Sequence, residues 1–169
     1  MEIGLKLTYL LDFMISSSDI WTWEIRSPDT NAGFYVVQQA TTSSQASVIF
    51  SANLNTSQGL ITVPNINLNG RQSKILLTDY NFGNSTLLYS SVDVLTYGVF
   101  DVDVITFYLE EGQTGQFALE TGANTVPEKV YGSTEFTATQ SGSSITVIYS
   151  QGSGQTVLKF NGVLIYLLD

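Results

Sequence analysis

The chain has 169 residues and contains neither cysteine nor histidine. Thiol catalysis, Cys/His zinc sites and any Ser-His-Asp arrangement are excluded at once, since each needs a side chain that is not there. Disulfides are excluded too, so cysteine usage says nothing about redox compartment. Charge is scarce: 12% of residues are charged, and 15 acids against 6 bases give a net charge of −9. Phosphate backbones are bound through clusters of Lys and Arg, which this sequence lacks, so nucleic acid is not an expected partner. The apolar segment from Ile3 to Met14 is interrupted by Lys6 and Asp12 and is too short to span a bilayer, so no membrane partner is expected. It also has no clean apolar centre and no small-residue cleavage site, as for a sequence that begins inside a longer protein.

What is present points to β-structure. Hydrophobic residues make up 43% of the chain, which excludes disorder. Val, Ile, Thr, Tyr and Phe are abundant, and these side chains suit pleated, half-buried surfaces. The length fits one domain, or two small ones tightly joined, and about two-thirds of the unfolded surface can be buried without staples. Apolar runs recur between clusters of Gly, Ser, Asn and Asp, an all-β pattern. Strands are expected at Phe34–Gln39, Ser47–Ala52, Gly59–Val63, Lys74–Thr78, Thr86–Thr96 and Asp103–Leu109. Further strands are expected at Gly115–Leu119, Glu135–Gln140, Ser144–Ser150, Thr156–Phe160 and Val163–Leu168. Asn161-Gly162 between two apolar runs reads as a type I′ hairpin turn, and the Ser150–Gly154 segment as a looser connection of the same kind. Residues 3–14 alone carry a helical period. An internal boundary is expected between Glu120 and Ser133, and antiparallel sheets packed face to face fit the strand count best.

Several residues are candidates for chemistry or recognition. Asp101 and Asp103 would share a strand face and could hold calcium or act as a dyad; the alternative is solvated charges flanking a hairpin. Glu110 and Glu111 read as a turn facing water. Trp21 and Trp23 would share one strand face as a platform for sugar rings, or else pack in a core or between domains. Arg71, Lys74 and Asp79 form either a recognition cluster or a charged pair that pins a strand turn, with Asp93 as another partner for Arg71. Asn55-Thr56-Ser57 and Asn84-Ser85-Thr86 are N-glycosylation sequons in polar turns. No metal or cofactor is expected.

The series Gly70-Arg71, Ser73-Lys74-Ile75, Thr78-Asp79-Tyr80 and Leu87-Leu88-Tyr89-Ser90-Ser91 resembles the second domain of fungal-type glycoside hydrolase family 35 β-galactosidases. Phe34-Tyr35-Val36-Val37, Val94, Thr96-Tyr97, Phe117-Ala118-Leu119 and Val163–Asp169 extend the likeness, which runs from about Asn31 to Asp169. Two positions depart from the pattern: Gln38-Gln39 replace an Arg-His pair, and Tyr97 stands where Trp is common. The resemblance implies β-hairpins continuous with an immunoglobulin-like β-sandwich subdomain. Residues 31–125 would be the hairpin part and 126–169 part of that subdomain, after a poorly matched segment 1–30. It further implies an extracellular enzyme whose chemistry lies in an N-terminal barrel, with that barrel and the following β domains as partners. A glycosidase needs two carboxyl groups on a suitable scaffold. The family's acid/base follows an Asn, yet no Asn-Glu dipeptide occurs here, and the chain is shorter than the ~200 residues of a minimal barrel. The chain alone is therefore expected to be inactive. A carbohydrate-binding module and a free-standing immunoglobulin-like adhesion domain are the competing readings.

Overall fold

A computed structural model describes residues 6–9, 15–120 and 126–169. Fifteen strands appear among them. In chain order they are β1 (Lys6–Tyr9), β2 (Ile20–Arg26), β3 (Gly33–Gln39), β4 (Val48–Thr56) and β5 (Gly59–Leu68). Next come β6 (Ser73–Phe82), β7 (Ser85–Ser90), β8 (Asp93–Val99), β9 (Asp103–Tyr108) and β10 (Thr114–Glu120). The last five are β11 (Glu128–Tyr131), β12 (Glu135–Ser141), β13 (Ser144–Ser150), β14 (Thr156–Phe160) and β15 (Val163–Leu168). The all-β expectation holds.

An eight-stranded sheet, in the order β1-β2-β3-β6-β7-β10-β13-β12, is the backbone of the architecture. A five-stranded sheet, β11-β14-β15-β9-β8, covers part of one face, and the β4-β5 hairpin covers part of the other. Two-residue periodicity explains how one sheet serves two cores. On β10, Phe117 and Leu119 enter the core beneath the five-stranded sheet, whereas Ala118 enters the core beneath the hairpin. On β6, Leu77 and Leu76 divide the same way. The first core is built around Phe107 stacked on Phe117 at 4.6 Å, with Tyr149 edge-on to Phe117. Tyr35, Val37, Phe50, Leu54 and Leu68 fill the second.

Among the described residues all strand pairings are antiparallel except that of β9 with β15, which run parallel with Ile105 opposite Ile165. Asn161 and Gly162 turn β14 into β15 with φ of 44° and 78°, the two positive values a type I′ turn requires. Gly83 opens the β6-β7 turn at φ 61°, and a Cβ there would collide with the Asp103 carboxylate.

Some expectations are corrected. The single strand expected at Thr86–Thr96 is two strands in different sheets. The chain crosses between them at Ser91-Val92, where the Ser90 hydroxyl donates to the Val92 carbonyl and accepts from the Val92 amide. Apolar residues resume directly after Ser90-Ser91 because Val92 is itself buried. The Ser150–Gly154 segment is likewise a crossing between sheets, from β13 to β14. Where a helical period was read at residues 3–14, residues 6–9 form a strand; the remainder lies outside the described residues. The segments on either side of the division expected near residue 125 share a sheet, since β10 pairs with β13, and residues 121–125 themselves lie outside the described set.

Candidate functional site

Three polar clusters and one apolar face stand out. The first cluster joins the β4-β5 hairpin to the large sheet. Alternation puts Glu24, Tyr35 and Leu76 in one row across β2, β3 and β6, facing the hairpin. Arg26 Nε donates to Glu24 Oε1 at 2.6 Å, and its Nη atoms donate to the Tyr35 hydroxyl at 2.9 Å and the carbonyls of Asn31 and Asn55 at 2.8 and 3.0 Å. Asp79 accepts from the Ser57 amide at 2.9 Å and the Ser57 hydroxyl at 2.7 Å, and lies 3.7 Å from Arg26. Burial alone would lower the Arg26 pKa; the hydrogen bond and charge of Glu24, with the help of Tyr35, outweigh it and leave the guanidinium above its ordinary value. Burial, reinforced by the Glu24 charge, raises the Tyr35 phenol. Asp79 takes up this role at φ 51°, a left-handed conformation that Asp tolerates better than most residues.

The expected grouping of Arg71, Lys74 and Asp79 does not exist. Arg71 precedes β6, is exposed and makes no ion pair among the described residues, whereas Lys74 and Asp79 lie within the strand and are buried. Lys74 is buried with its Nζ 3.7 Å from Asp93 and without a hydrogen-bond partner. Its pKa is lowered by burial, which the Asp93 and Glu110 charges offset in part. Asp93 also accepts from the Ile75 amide.

Asp101 and Asp103 are not a pair either. Asp101 is exposed, whereas Asp103 is buried and caps the β6-β7 turn, accepting from the Asn84 amide and the Ser85 hydroxyl, each at 2.8 Å. Glu111 faces water; Glu110 is half-buried and accepts from Asn69 and Gln113 at 2.8 and 2.7 Å. Among the described residues no group of three or more acids could hold a metal ion. The buried carboxylates Glu24, Asp79 and Asp103 are thus engaged by their own fold. Both sequon asparagines are exposed, Asn55 near the tip of the β4-β5 hairpin and Asn84 in the β6-β7 turn.

Trp21 and Trp23 project from the same face of β2, opposite to Thr22 and Glu24. Trp21 is 45% exposed and Trp23 half-buried. Their rings meet edge to face, 6.1 Å apart at 87°, and so present no common plane for a sugar ring. On the same face lies a groove of about 420 Å³ between the large sheet and β8, lined by Phe34, Ile75, Tyr80, Val94, Leu95 and Tyr97 among others. Its aromatic floor is a chain of edge-to-face contacts, Phe34 to Tyr80 at 6.1 Å and Tyr80 to Tyr97 at 5.7 Å. Asp93 is the one carboxylate in that lining, whereas a glycosidase site needs two.

Comparison with known proteins decides the family. The family model described as "Beta-galactosidase, domain 2" matches residues 7–169. The chain belongs to this family. The match takes in β2 and the two tryptophans, beyond the Asn31 start of the likeness read from the motifs. Relatives are fungal. A probable beta-galactosidase C of Sclerotinia sclerotiorum is 60% identical over 158 residues, covering 92% of this chain and 16% of its own length. Those of Neosartorya fischeri and Penicillium rubens are 53% and 51% identical over 156 residues, covering 91% of this chain. The chain spans only 16% of the length of each of these relatives.

The domain-2 chain holds interactions that motif reading missed. Arg26 and Glu24 lie outside the quoted motifs, and Tyr35, inside Phe34-Tyr35-Val36-Val37, carries there only a strand reading. Their signal was present: Arg26 is one of only 6 basic residues and stands two places from Glu24, on the same strand face.

Proposed function

We propose that the chain is a non-catalytic structural domain of a secreted glycoside hydrolase family 35 enzyme that hydrolyses terminal β-galactosides. The observation that carries this reading is the family match along residues 7–169, joined to relatives named as β-galactosidases of which the chain covers 16%. Chemistry then resides in a barrel elsewhere in the polypeptide, and this domain braces and helps shape it. In support, the buried carboxylates hold structural partners and no Asn-Glu dipeptide occurs in the sequence. Residues 31–125 supply the hairpin part and 126–169 part of an immunoglobulin-like subdomain, tied together by the shared eight-stranded sheet. Its partners are the barrel and the following β domains; no metal or cofactor takes part. An extracellular location accords with two exposed sequon asparagines, Asn55 near the end of β4 and Asn84 in the β6-β7 turn; no described helix is long and apolar enough to cross a membrane.

Purification of the β-galactosidase activity from culture medium, followed by peptide mapping, tests this reading. Peptides of this chain should fall within the same covalent polypeptide as the activity. An active enzyme that lacks them, or a secreted polypeptide no longer than this chain, would overturn it.

A further inference from the structure

The five-stranded sheet stops short of covering its face of the large sheet. Register sets Trp23, Val36 and Ile75 side by side across β2, β3 and β6, with Ile25, Phe34 and Leu77 in the next row. Leu77 is already covered, but Ile75 is exposed and Trp23, Ile25, Phe34 and Val36 are only half-buried, and the groove continues these rows under Leu95 and Tyr97. Ile75, Leu95 and Tyr97 are 47%, 62% and 48% exposed, and Phe100, at the β8-β9 turn, is 77% exposed. No Lys or Arg lines the groove, and its single acid is paired with Lys74. The opposite face of β3 is fully served by the hairpin, with Tyr35 and Val37 buried, so the exposure is one-sided. Soluble proteins seldom leave a contiguous apolar surface of this kind without a partner.

What covers it follows from shape. A second copy related by a two-fold axis would have to be self-complementary, each groove receiving a projecting residue of the other's patch, whereas a further part of one polypeptide needs no such symmetry. Strand addition along β8 is obstructed by the register shift between Val94 and Thr96, the kind of irregularity that blunts a sheet edge. The surface calls for a convex, apolar, uncharged ridge, and all but 16% of each relative's length lies in further polypeptide. We propose that the open face of β2-β3-β6 and the groove beside β8 form the seat for another part of the same polypeptide, which inserts an apolar ridge between Ile75 and Tyr97. This rests on the reading of the chain as one domain of a longer β-galactosidase.

Hydroxyl-radical footprinting of the unmodified full-length enzyme tests it. Leu95, Tyr97 and Phe100 should oxidise at least fivefold more slowly than in the denatured enzyme, and dilution should not change this. Leu60, equally exposed on the opposite hairpin at 56%, should show little protection. Equal reactivity at Leu95 and Leu60 in an active enzyme would overturn the seat while leaving the domain assignment intact. Protection lost on dilution would overturn the occupant and point to a second copy. An active enzyme without this chain's peptides would overturn both. Leu95→Asp in the full-length enzyme gives a second readout: it should lower the melting temperature, and Leu60→Asp should not. Identical melting of the two variants would count against the seat.

Discussion

Asp79 fastens the β4-β5 hairpin to the large sheet, and substitution there separates three contributions. Asp79→Ala removes the acceptor of the Ser57 amide and hydroxyl and the 3.7 Å attraction to Arg26. Hydrogen bonds to a charged group are worth about 1.5–3 kcal/mol. Placing Ala at φ 51° adds about 1 kcal/mol of backbone strain, so roughly 3–4 kcal/mol should be lost. Asp79→Gly loses the same bonds without the strain and should fall about 1 kcal/mol short of that loss. Asp79→Asn keeps an acceptor for Ser57 and a residue type that tolerates the left-handed region; it forfeits mainly the attraction to half-exposed Arg26, about 1 kcal/mol or less. The predicted order of stability is wild type, Asn, Gly, Ala. Urea denaturation or thermal melting of the purified variants reads it, with roughly 2–4 °C expected per kcal/mol in a domain of this size. Asp79→Ala within about 0.5 kcal/mol of wild type would refute the clamp. Glycine no better than alanine would refute the strain.

Three further outcomes are expected. Lys74→Met should stabilise the protein at neutral pH, by about 1–3 kcal/mol, because it removes a buried ammonium that has no hydrogen bond and leaves Asp93 partly hydrated. The Lys74 pKa is lowered in the folded state, so the unfolded chain binds more protons between that value and the ordinary 10.5. The cost of burying the charge is therefore full below this window and fades as pH rises through it, and the gap between variant and wild type in urea melts should narrow toward pH 10.5. Arg71→Ala should change stability by no more than about 0.5 kcal/mol, since the side chain is exposed and unpaired among the described residues; a loss of 1–3 kcal/mol would restore the pinning role expected from sequence. In full-length protein expressed through a fungal secretory pathway, Asn84→Gln should remove one glycan, seen as a mass decrease on the peptide spanning the β6-β7 turn; loss of no glycan mass would show the sequon to be unused.

The strands were legible wherever a local pattern dictates the outcome. Alternation fixed β3, β10 and β13, and Asn161-Gly162 fixed the β14-β15 hairpin. Sheet membership was not legible. Leu87 to Val94 reads as one strand because apolar residues resume at Val92 directly after Ser90-Ser91, Val92 stays buried while the chain changes sheets, and no period marks a crossing inside a core. β2 was missed as an element because its Trp-Thr-Trp alternation was read for the two rings alone. Charge partners were the least visible. Lys74 and Asp79 are close to Arg71 in sequence, but pairing is set by which face each residue occupies and by what the hairpin brings over that face. Ser57, Arg26 and Asp93 therefore became the partners that nearness in sequence could not supply. The open groove depends on where one sheet ends above another, a property of the assembled layers.

The claim that the chain supports a β-galactosidase without carrying out its chemistry is met most directly by turnover of a chromogenic β-galactoside. The purified 169-residue chain should give the rate of the blank, and the full-length enzyme should hydrolyse the substrate. Turnover by the isolated chain that persists at constant specific activity through purification to homogeneity would contradict the account.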